Sequence, residues 1–149
     1  MAEFREFPKI ARLNRDIVIT EKIDGTNAAI IIEENVLGTP ELFGTNGRTS
    51  DGLFYVSAQS RNRLLTPGKG TDNFGFAQWV EDNKDALALL GPGHHYGEWY
   101  GQGIQRTYGL TEKRFALFNI ARWTALENFE LFVSVQDKVP QLELVPVLH

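Results

Sequence analysis

The sequence predicts an α+β domain with mostly antiparallel sheets and one well-marked helix. Most of the chain divides into short runs rich in β-branched and aromatic residues, set apart by Gly, Pro, Asn and Asp, which is the punctuation of strands and turns. A single segment, ending near Leu90, repeats its apolar residues at helical spacing. Many strands with one helix fit α+β better than alternating parallel units. At 149 residues and 42% hydrophobic, the chain is expected to be one domain, residues 1–149, with a core of its own.

In chain order, Ile17 to Thr20 is β-branched and runs into Glu21-Lys22-Ile23-Asp24-Gly25, a strand ending in a turn. Asn27 to Glu33 resumes as a strand, and its continuous apolar run (Ala28 to Ile32) predicts burial on both faces. Gly38-Thr39-Pro40 breaks the chain, Glu41 to Thr45 reads as a short strand, and Asn46-Gly47 is a hairpin signal. Phe54, Val56 and Ala58 alternate with Tyr55, Ser57 and Gln59, a half-buried strand.

Pro67-Gly68-Lys69-Gly70 is a loop, after which Thr71 or Asp72 can cap a helix. Phe76, Trp79, Val80, Leu87 and Leu90 form its apolar stripe, with Trp79 assigned to packing, and Gly91-Pro92-Gly93 stops it. Tyr96 to Tyr100 and Phe115 to Ile120 read as strands, joined by a Gly- and Tyr-containing loop of unassigned structure. Ala121 to Thr124 fits no single state, Phe129 to Val133 reads as a strand or a helix end, and Leu142 to Val147 is a last strand interrupted by Pro146.

The chain has no cysteine, which excludes disulfides and thiolate chemistry, and three His offer little for zinc. His94 and His95 are adjacent, and adjacent strand residues point apart, so they do not read as a metal pair. No signal peptide, anchor or membrane-length apolar run is visible, so a cytoplasmic or otherwise intracellular protein away from membranes is expected. A formal charge of −4 argues against wrapping duplex nucleic acid by bulk electrostatics but leaves room for a local cationic cleft. Arg48, Arg61, Arg63 and Lys69 share a stretch whose only acid is Asp51.

Lys22 follows a strand and stands two residues before Asp24-Gly25, which fixes it on a tight turn. Asp24 can orient that turn, Gly25 lets it pass close to a ligand without a Cβ, and Asn27 offers a neutral polar contact to phosphate or metal-bound water. Alone, Lys-x-Asp-Gly is more often an ordinary surface turn.

The ordered motifs decide otherwise. EKIDGTN, from Glu21 to Asn27, resembles the nucleotidyltransferase signature of the covalent ligase and capping-enzyme superfamily, specifically its ATP-dependent RNA ligase branch. Asn46 to Ser50 and Ser60-Arg61-Asn62-Arg63 resemble the arginine-bearing segments that follow the nucleophile. Tyr96-Gly97-Glu98-Trp99-Tyr100-Gly101 resembles G-E-x-x-G, and Phe115 to Ile120 resembles F-x-x-F-D-I with Asn119 in place of the usual aspartate.

The resemblance implies a truncated form of the ATP-grasp-like nucleotidyltransferase domain of RNA and DNA ligases. Lys22 would be the nucleophile that takes up AMP, reacting as an unprotonated amine; an ordinary lysine titrates at about 10.4, and partial burial, cations or a metal lower that value. Glu98 would contact the ribose hydroxyls or hold Mg²⁺ (or Mn²⁺) through water. Phe118 is the expected stacking platform for the base, with Phe115 as runner-up, and Glu21 is placed near the adenine edge. Arg48 is the first choice for nucleotide phosphate or the incoming 5′-phosphate, with Arg61 and Arg63 as weaker candidates.

ATP is the implied cofactor and RNA ends the implied partner. The E-G-x-V and K-x-K motifs that complete the family's site are not present in these residues. The chain is therefore expected to be a fragment of a longer protein, or a short relative that forms a homodimer or works with a second polypeptide. Alternatives are a non-catalytic nucleotide- or RNA-end-binding module, and a related DNA ligase or capping enzyme.

Overall fold

A computed structural model describes residues 2–8, 17–36, 47–68 and 70–148. Its centre is one five-stranded sheet: β1 (Thr26–Glu34), β2 (Phe54–Ser60), β3 (Gly93–Gly101), β4 (Lys113–Leu117) and β5 (Leu142–Leu144), in the order β2-β1-β3-β4-β5. The helices are α1 (Phe76–Asp82), α2 (Lys84–Leu87), α3 (Ile120–Thr124) and α4 (Leu126–Lys138), with a 3-10 turn over Ala88–Leu90.

The expectation of mostly antiparallel sheets with one helix is overturned. The sheet is mixed: β4 and β5 run parallel, while the other neighbours are antiparallel. A parallel neighbour requires a crossover, and α3 and α4 supply it between β4 and β5. Those two helices lie where the sequence reads ambiguously. Within α4 only Phe132 and Val135 are buried, while Leu126 and Phe129 are 80% and 46% exposed, so no clean apolar stripe appears.

The expected helix near Trp79 also differs in form. Asn73, Phe74 and Gly75 adopt left-handed backbone angles, which delays the start to Phe76. Asn83 interrupts it at φ −114°, ψ 12°, and Gly91 at φ 91° ends the segment as expected. The strand expected at Ile17 to Thr20 is reduced to a bridge between Thr20 and Val147. The Glu41 to Thr45 strand, the Gly38 to Pro40 break, Asn46 and Lys69 lie outside the described residues.

Strand alternation divides the sheet into two faces. Ala28, Ile30, Ile32, Val56, Ala58, Trp99, Phe115, Leu117 and Leu142 meet Phe76, Val80, Leu87, Leu90, Trp123, Phe132 and Val135 in the main core. The opposite face presents Asn27, Ala29, Ile31, Gln59, Tyr96 and Glu98. Residues 2–8 lie against it. The buried Gln59 amide accepts from Arg5 N at 3.4 Å and donates to Arg5 O at 2.9 Å, while Phe7 packs edge-on against Tyr96 at 4.6 Å. Burial of Ala29 and Ile31 on this face fulfils the two-sided burial read from Ala28 to Ile32.

Candidate active site

The turn that carries Lys22 is fastened at both ends. Before it, Glu21 N donates to Pro146 O at 2.8 Å; after it, Thr26 enters β1 opposite Trp99 of β3. Ile23 packs into a small cluster with Tyr100, Ala116, Ile120 and Val145, which leaves Lys22 exposed between two anchored residues. The partial burial expected for Lys22 is therefore absent.

Gly25 has a packing reason within the fold. A Cβ there would lie 2.4 Å from Trp99 O and 2.7 Å from Tyr100 Cβ, so glycine lets the turn press on β3 itself. That approach brings Gly25 N to Glu98 Oε1 at 3.2 Å.

Glu98 is 8% exposed, beside Asn27 in the β1–β3 register. Burial raises its pKa and Asp24 adds to that, while the Gly25 hydrogen bond, Arg61 and Lys22 favour the charged form. Lys22, Asp24, Gly25, Asn27, Arg61 and Glu98 are thus gathered at one end of β1. Among the described residues nothing donates to Glu98 Oε2, which suits a hydroxyl donor from a ligand.

Phe118 follows β4 on the same face, its N–H bonded to Tyr96 O at 3.0 Å and its ring 40% exposed. With Phe7, Thr20, Tyr96 and Asn119 it borders a cavity of about 830 Å³. Phe115 is removed as a stacking candidate: it is 0% exposed in the main core, 5.0 Å from the Phe76 ring. Asn119 caps α3, its Oδ1 accepting from Arg122 N at 3.2 Å, a task the usual aspartate performs equally well.

Arg48 is not brought to this site. It bridges Tyr55, which pairs with Glu33, six strand positions from Asn27 and about 20 Å away at the rise of an antiparallel strand. Its guanidinium lies over Gly52. Arg63 is exposed and borders, with Arg61, Asn73 and Phe74, a second cleft of about 720 Å³. Glu21 is exposed at the start of the turn.

His95 faces the main core, 3% exposed, with Nε2 2.8 Å from Gly91 O, whereas His94 contacts Tyr96 on the other face, as adjacent strand residues must. No group of three His, Asp or Glu among the described residues is placed to hold a metal ion. Trp79 packs against Phe76 and Trp99, as assigned. Among the described residues no helix is long and apolar enough to cross a membrane.

Sequence reasoning missed the loop between β3 and β4. Tyr108 Oη accepts from Asp24 N at 2.7 Å, and Gln105 Nε2 donates to Gly25 O at 3.3 Å. The available signal was a polar Gln-Gly-Ile-Gln stretch directly after Gly101, with Ile104 as a buried anchor.

A sheet with a lysine turn, a buried glutamate and an exposed aromatic on one face has the make-up of a covalent nucleotidyltransferase. A family model described as RNA ligase matches residues 15–149, and the chain belongs to that family. Among solved structures it resembles Naegleria gruberi RNA ligase. A lysine-to-alanine variant with ATP and Mn matches at TM-score 0.54 and 18% identity, and a glutamate-to-alanine variant with AMP and Mn at 0.53 and 19%. The same ligase with PPi matches at 0.53 and 18%. Each match covers 87% of this chain and 35% of that chain, so the protein spans about a third of the ligase's length. Identities this low establish a shared fold. No curated protein matches the chain.

Proposed function

We propose that this chain is the adenylation region of an ATP-dependent RNA ligase. The Lys22 Nζ attacks the α-phosphorus of ATP, a P–N bond forms and pyrophosphate leaves. AMP then passes to an RNA 5′-phosphate, and attack by a 3′-hydroxyl on that activated end releases AMP and joins the strands. One observation carries the reading: Lys22 stands on a turn clamped by buried Glu98, with Arg61 beside it and Phe118 on the same face. The Naegleria structures include variants at a lysine and at an aspartate two residues later, the spacing of Lys22 and Asp24.

Glu98 is assigned to the ribose hydroxyls, and Phe118 to the adenine ring, with Glu21 near its edge. Arg61 takes the phosphate role first given to Arg48, because it lies within electrostatic reach of Glu98, with Arg63 set further out along the cleft. A guanidinium there counters charge developing on phosphate oxygens. Asn27 offers its amide to phosphate or metal-bound water. Mg²⁺ or Mn²⁺ would be held by Glu98 through water and supply further charge neutralisation.

The test is incubation with ATP labelled at the α-phosphate and Mg²⁺. A covalent adduct is expected in the parent protein and none in Lys22→Ala; equal labelling of both would reject the assignment. The exposure of Lys22 favours one other reading, a module that binds nucleotide or RNA ends without turnover. Saturable ATP binding with no adduct would establish it. Labelling by ATP but not GTP, and sealing of RNA nicks but not DNA nicks, would separate an RNA ligase from its capping and DNA-sealing relatives.

A further inference from the structure

The loop from Gln102 to Glu112 reaches back over the Lys22 turn, and its two side-chain contacts there are both to main-chain atoms. Asp24 N donates to Tyr108 Oη at 2.7 Å, and Gly25 O accepts from Gln105 Nε2 at 3.3 Å. Together with Glu98, which holds Gly25 N, they engage three backbone polar groups of Asp24 and Gly25, close after Lys22.

The loop is itself braced. Gln102 N bonds Glu112 O at 3.2 Å, Leu110 N bonds Thr107 O at 2.9 Å, and Ile104 is fully buried. The Tyr108 ring stands edge-on to Tyr100 at 5.7 Å, and the Arg106 guanidinium lies 5.6 Å from its centroid. Gln105 and Tyr108 both adopt left-handed backbone angles, φ 35° and 54°, conformations that side chains other than glycine adopt only when their surroundings hold them there. The two residues in this unfavoured backbone are the two whose side chains touch the turn.

We propose that Tyr108, assisted by Gln105, is a positioning residue for the Lys22 nucleophile. By fixing the Asp24 amide it sets the direction in which the lysine leaves the turn. This rests on the reading of Lys22 as the group that takes up AMP. A nucleophile displaced by about 1 Å commonly loses on the order of a hundredfold in rate, so the hydroxyl matters to the rate of attack more than to nucleotide affinity.

Tyr108→Phe removes only the hydroxyl and keeps the ring against Tyr100. Two measurements are made on parent and variant. Single-turnover labelling with ATP and Mg²⁺ is expected to show a maximal rate of adduct formation at least about tenfold lower, with half-saturating ATP unchanged within about twofold. Amide hydrogen exchange is expected to rise at Asp24 and Gly25 and to stay constant at Ile30 to Ile32. An unchanged labelling rate, a change in half-saturation alone, or unchanged exchange at Asp24 would overturn the proposal while leaving the function standing. A parent protein that forms no adduct would overturn both.

Discussion

His95 shows how one residue's burial becomes a property of the protein. Its ring sits among core atoms against Trp123, and burial lowers its pKa from 6.5 to about 4, with Arg122 and His94 opposing the charged form as well. The folded state therefore favours the neutral ring. That stability is complete above about pH 6.5 and is lost as pH falls through the folded value near 4, a span worth about 3 kcal/mol. Thermal melts between about pH 7.5 and about pH 4 should show the parent losing more stability than His95→Phe; parallel curves would mean that His95 is not the titrating group. The same dependence on facing explains what single residues disclosed beforehand. Glu98 and Phe118 could be picked from their motifs, and the structure puts them on one face with Lys22 nearby. Phe115 and Phe118 stand three apart, so on a strand they face opposite sides, but which side is the site is decided by packing; Arg48 is placed by the span of β1, which its motif does not contain.

Among the elements, β1 was legible because a run of apolar β-branched residues bounded by turn residues has few other outcomes. The α3–α4 crossover was not. Its helices bury little, so tertiary packing rather than pattern makes them helical, and missing them also hid the parallel partner of β4. Asn119 is the joint between β4 and this crossover, immediately after Phe118. Removing its cap with Asn119→Ala should cost about 1 kcal/mol in denaturant unfolding and weaken ATP binding through the loosened Phe118. Asn119→Asp should keep both, since a carboxylate caps the same amide. Stability loss in the aspartate variant equal to that in the alanine variant would show that the cap is not what matters there.

For the whole molecule, net charge and local charge point in different directions. The protein carries −4 overall, yet Arg61 and Arg63 line one cleft, and Lys22 and Arg61 act electrostatically on Glu98. If RNA ends bind through about three phosphate contacts, affinity for 5′-phosphorylated RNA should fall about twentyfold between 50 and 200 mM salt. A flat response would place binding elsewhere than on these cations. The loop bearing Tyr108 belongs to this scale too, since it joins β3–β4 to the turn before β1, a long-range contact that no local window of sequence reveals.

The centre of the sheet also governs how the chain comes into being. β1 is flanked by β2 on one side and by β3 on the other, and β3 begins about sixty residues after β1 ends. At translation rates of roughly 5–20 residues per second, the apolar stretch from Ala28 to Ile32 emerges from the ribosome roughly 3 to 12 s before its second neighbour exists. During that interval a nascent chain presents an unpaired, water-averse strand edge, a species open to pairing with other chains until β3 arrives.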